Sequence, residues 1–182
     1  MTETQNEGAD PEAVERAEAH PDNPSPVIQA VAEKSTSSAI AVAGHPIHAM
    51  MVHFPIALVF AVLGIDLLYW WSGDPFWVRV SIWAAGAAFL FGVAASLVGT
   101  AELLLVPGIR SRVASWNHAL AAMTLLAVAG YNWGLRLADP ADILPHGLTV
   151  SVLAAVITAF AGWHGGKLVF DHGVGLLISP HR

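Results

Sequence analysis

The chain has 182 residues, 55% of them hydrophobic and only 12% charged, where an ordinary soluble domain carries about a quarter charged residues. Residues 1–34 hold eight acids against Arg16 and Lys34, which accounts for the whole formal charge of −6, and the apolar remainder is balanced at six acids and six bases. That balance leaves no basic surface of the kind that binds nucleic acid. The absence of cysteine excludes disulfides, iron–sulfur ligation and thiolate catalysis.

The N-terminal segment, residues 1–38, is rich in Glu, Ala, Pro, Ser and Thr, with Pro11, Pro21, Pro24 and Pro26 spaced along it. Such a composition buries too little apolar surface to offset its ordering entropy, so an acidic, disordered tail is expected, and it is a candidate docking arm for a partner. Residues 1–25 have neither the basic start nor the early apolar run of a signal peptide.

Residues 39–182 read as one transmembrane domain. Four apolar stretches lie near residues 50–71, 77–106, 113–137 and 146–170, and about 20 apolar residues suffice to cross a bilayer core. Ser72-Gly73-Asp74-Pro75, Pro107-Gly108-Ile109-Arg110 and the run from Asp139-Pro140 to Pro145 separate them, with the Pro, Gly and charge that stop helices. A soluble bundle needs a polar stripe on each helix, yet residues 82–98 offer only Ser96. The fold class expected is all-α: an integral membrane, up-down four-helix bundle in a lipid bilayer, behind a disordered N-terminal tail. Lys34, Arg110, Arg112, Lys167 and Arg182 fall on the side of the termini, against Arg79 and Arg136 on the other. The positive-inside rule then puts both termini in the cytoplasm.

Ionisable groups in a span are costly and point to function. His45, His48 and His53 precede or begin the first helix, Glu102 closes the second, His118 opens the third, and His164 and His172 end the fourth. With alternating helix directions all seven fall on the side of the termini, and only His146 lies opposite. Imidazole suits zinc, copper and iron and carries no charge when neutral. Three readings stay open: a haem b held between helices by two histidines, a divalent metal bound by His45, His48, His53 and Glu102, or histidines that only cap helices and bond carbonyls. On the second helix Ala88, Gly92, Ala95 and Gly99 make a small-residue face, suited to close packing or to admitting a flat cofactor. Asp66, near the far interface, is expected to pair with Arg79, and Asn132 to bond between helices. No Ser-His-Asp or paired-carboxylate arrangement suggests an enzyme.

The run Gly44-His45-Pro46-Ile47-His48-Ala49-Met50-Met51-Val52-His53-Phe54-Pro55 and the closing run Trp163-His164-Gly165-Gly166 through Asp171-His172-Gly173-Val174 resemble a bacterial membrane family catalogued as domain of unknown function 2231. The resemblance covers about residues 44–175, with His118 matching in the third helix. Ala49 replaces a proline of the family pattern, Glu102 stands where an Asp is usual, and His164 where the family is apolar. Some members look fused to, or encoded beside, Rieske and cytochrome domains. The resemblance therefore implies a bacterial inner-membrane location and an electron-transfer role beside other redox subunits. The leading expectation is a small cytochrome-like subunit with His53 and His118 as axial ligands and His48 or His172 as alternates. The other two are a non-enzymatic accessory or assembly subunit of a larger complex, and a metal-binding or transport protein.

Overall fold

A computed structural model of the chain describes residues 35–175. Most of the acidic tail, with Lys34, and Arg182 lie outside the described residues. The elements in order are a two-residue hairpin, β1 (Ala41–Val42) and β2 (His45–Pro46), then α1 (Ile47–Met51), α2 (His53–Ser72), α3 (Pro75–Leu105), α4 (Pro107–Arg110), α5 (Val113–Ala138), a 3-10 turn (Pro140–Ile143) and α6 (His146–Phe170). Four spans are long and apolar enough to cross a membrane: Ile47–Ser72, Pro75–Leu105, Val113–Ala138 and His146–Phe170. The shortest has 25 residues and at 1.5 Å per residue reaches about 37 Å, beyond the roughly 30 Å of a hydrocarbon core.

Local chemistry sets the helix ends. Gly73 takes φ 65° and stops α2, a left-handed turn that a side chain disfavours. Asp74 then caps α3 by accepting from the Phe76 N–H at 2.8 Å, with Pro75 at the first helical position, where its missing donor does no harm. The first span is interrupted at Val52. Because α2 restarts at His53, Pro55 falls in a first turn, where no intrahelical partner is required of its nitrogen.

Lipid-facing side chains are large and apolar, Trp83 (80% exposed) and Phe170 (85%) among them. The interior is small-residue packing: Val59, Ala88 and Ala154 form its centre, with Leu58, Leu125 and Val128 against them. α2 packs on α3, α5 on α6, α3 on α5 and α2 on α6. The spans thus follow one another around a ring, and α2 faces α5 across its middle.

At the end far from the termini the interior turns polar. Asp66 and Arg136, both 0% exposed, meet at 2.6 Å between Oδ2 and Nη2. Ser81 donates to Asp66 Oδ1 at 2.6 Å and Ser151 to Oδ2 at 2.6 Å. Asn132 donates to Ser151 at 3.1 Å, the interhelical bond expected of it. The expected pairing of Asp66 with Arg79 is therefore incorrect. Arg79 is exposed, and it is Ser81, about 200° further round α3, that points at Asp66.

Candidate cofactor site at the histidine end

The opposite end of the bundle holds a partly open cavity of about 350 Å³, within the range of small-molecule sites, roughly 300–1,000 Å³. Its walls are mostly apolar or small, with polar groups that include His48, His118 and Glu102. The two imidazoles stand 6.3 Å apart between ring centroids, their planes at 76°. Each ring is anchored in the same way. Nδ1 of His48 lies 2.9 Å from the Ala95 carbonyl on α3, and Nδ1 of His118 lies 3.1 Å from the Ala161 carbonyl on α6. A carbonyl only accepts, so a neutral ring gives its Nδ1 proton there and keeps the lone pair on Nε2. That is the outer-shell bond which holds a ligating histidine.

A glycine seats each ring. A Cβ on Gly99 would stand 2.6 Å from His48 Cε1 and 2.7 Å from its Nδ1, and one on Gly165 would stand 3.1 Å from His118 Cε1. Residue 99 must therefore lack a side chain for His48 to lie where it does.

A strap closes this end. Thr36, assigned by composition to the tail, donates its N–H to Gly173 at 3.1 Å and accepts from Gly175 at 2.8 Å. Arg112 bonds the Thr36 hydroxyl at 2.8 Å and also the His172 carbonyl. The Ser38 hydroxyl bonds the carboxylate of Glu102, which is only 7% exposed. The β1–β2 turn uses Ala43 (φ 50°) and Gly44 (φ 80°), the two positive φ values of a tight hairpin.

Of the four histidines expected around a cofactor, the structure brings together His48 and His118. His53 is exposed, its Nδ1 at 3.2 Å from the Met50 carbonyl, and His172 lies outside the cavity wall. The reason is phase: five residues along a helix turn about 140°, so His48 and His53 cannot both face inward. His45 sits exposed in the hairpin, Nδ1 at 3.0 Å from the Ala43 carbonyl. The set His45, His48, His53 and Glu102 does not converge. Among the described residues no three His, Asp or Glu side chains are grouped to hold a metal ion. Composition did not reveal Ala161, Gly165 or Ser115, which have no chemistry of their own until packing brings them to the cavity.

Two imidazoles whose Nδ1 atoms are tied to backbone carbonyls are the kind of ligand that holds a metal from opposite sides. Ring centroids 6.3 Å apart are on the scale that two metal–nitrogen bonds of about 2.0–2.1 Å span. Two carbonyl-anchored imidazoles are the donor set that a bis-imidazole group such as a b-type haem would require.

The fold and this cavity define a class: a four-span membrane bundle with an imidazole pair lining a cavity at one end. The chain belongs to the DUF2231 family of predicted membrane proteins, whose family model matches residues 44–177. No curated protein and no solved structure matches it.

Proposed function

We propose that this chain is a small membrane electron-transfer subunit holding a b-type haem between His48 and His118, at the membrane face shared by the termini. The observation that carries this reading is the imidazole pair itself: centroids 6.3 Å apart, each Nδ1 tied to a backbone carbonyl. When bound, the haem supplies a reversible one-electron couple. The chain's residues do the rest. The Ala95 and Ala161 carbonyls orient the imidazoles, Gly99 and Gly165 leave them room, and the strap through Thr36, Ser38 and Arg112 limits water at the cavity. The location is a bacterial inner membrane with both termini cytoplasmic, and the partners are other membrane redox subunits.

The carbonyl bonds equally favour a second reading, an accessory subunit whose imidazoles clamp helices together. Visible spectroscopy of protein purified from haem-replete cells separates the two. The haem reading expects a Soret band that is lost in His48→Ala and in His118→Ala and kept in His53→Ala. No Soret band in the unaltered protein, or one that survives both substitutions, would overturn it and leave the clamp.

A further inference from the structure

The bundle contains a correspondence that neither the family assignment nor the cofactor reading supplies. Every buried residue of α2 has a buried counterpart on α5 at one fixed offset. Val59, Val62 and Asp66 match Ala129, Asn132 and Arg136, 70 residues on. His48 and His118 keep the same offset, and so do Gly64 and Gly134, around which an added Cβ meets nothing within 4 Å. On α3 and α6 the offset is 66 residues. Buried Ser81, Ala85 and Ala88 match buried Gly147, Ser151 and Ala154. Ala95 matches Ala161, the two carbonyls that hold the imidazoles, and Gly99 matches Gly165, the two seats. The packing repeats as well. The α2–α3 hairpin corresponds to α5–α6, and the α3–α5 contact to the α6–α2 contact.

We infer that the chain is two copies of one helical hairpin, paired about a two-fold axis that runs along the bundle. Parallel repeats of this kind relate halves by an axis along the membrane normal. At a two-fold axis a residue meets its own counterpart. That happens twice in this bundle. His48 meets His118 at one end, and Asp66 meets Arg136 at the other, about 27 Å away by helical rise.

Two consequences follow for the site. Each hairpin is a self-contained half-site, carrying one imidazole together with the carbonyl and glycine that seat it, and the cavity is completed only where two hairpins meet. Asp66 and Arg136 determine which hairpins meet. Pairing like with like would bury Asp against Asp or Arg against Arg, whereas unlike hairpins bury a matched pair. The surface of each hairpin therefore fits the other hairpin of this chain and rejects its own copy.

The test uses the full chain and its yield and thermal midpoint in mild detergent, so it stands whether or not a haem is bound. Asp66→Arg and Arg136→Asp each place like charges on the axis, and the monodisperse yield should fall at least about tenfold. The exchanged protein, Asp66→Arg with Arg136→Asp, should recover part of it, because it restores opposite charges at the axis, although Ser81 and Ser151 favour the carboxylate at position 66. An exchange no better than the single reversals would overturn the inference. So would single reversals that behave like the unaltered chain. A milder comparison needs no charge reversal. Gly99→Ala and Gly165→Ala should both lower the midpoint, and Gly64→Ala and Gly134→Ala should both leave it or raise it. Counterparts that shift in opposite directions would count against the duplication.

Discussion

Asp66→Ala is expected to be the most damaging single truncation in the bundle that leaves the histidine end untouched. The carboxylate is fully buried and receives three bonds of 2.6 Å, from Arg136, Ser81 and Ser151. Its removal leaves a guanidinium that is itself 0% exposed, and whose Nε and Nη1 already find no protein partner. An ion pair broken on one side in a buried site costs about 3–5 kcal/mol, because the surviving charge is uncompensated. At about 1.4 kcal/mol per factor of ten, the unfolding equilibrium should shift by a hundredfold or more. Removing both charges is different. Asp66→Ala with Arg136→Met leaves an apolar interior, and such replacements are often neutral or stabilising. The assay is reversible unfolding in mixed micelles, followed by helical circular dichroism, on the unaltered chain, the two single variants and the double. A loss below about 1 kcal/mol in Asp66→Ala would place this pair with the weak polar contacts common in membrane bundles. A double variant as unstable as the single would show that charge compensation is not the operative term.

Other expectations are smaller. Gly86→Ala would set a Cβ 2.8 Å from Trp133 Nε1 and 2.9 Å from its Cε2, so overpacking should destabilise the same unfolding equilibrium by about 1–3 kcal/mol. Gly64→Ala meets nothing within 4 Å in the middle of α2 and should stabilise by about 0.4–1 kcal/mol, through helix propensity and a less flexible unfolded chain. Arg112→Ala removes the tie between the Thr36 hydroxyl and the His172 carbonyl. Amide hydrogen exchange should then speed up over residues 36–47 and 172–175 with little change inside α3 or α6, and uniform acceleration throughout would show that the strap is not a separate unit.

The four spans and their ends were legible along the chain because their causes are local. Lipid demands about 20 apolar residues in a row, and Gly73, Asp74, Pro75 and Pro107 act on the turns they occupy. The gathering of histidines at one end was legible too, since it needs only the alternation of helix direction. Which histidines face each other was not. Val52 keeps helical angles, so the five residues from His48 to His53 turn about 140°, and which of the two imidazoles faces inward depends on how the whole span is rotated against its neighbours. Asp66 shows the same limit. Its partner is 70 residues away on a helix across the ring, whereas the partner suggested by proximity along the chain, Arg79, lies on the outer face of α3. Ala95, Ala161, Gly99 and Gly165 are unremarkable small residues until two imidazoles are packed on them. Hydropathy and turn chemistry are properties of neighbours in sequence, and they decide the elements. Pairing across the centre of the bundle depends on the rotation of each helix about its own axis, which emerges only when all four interfaces are satisfied together.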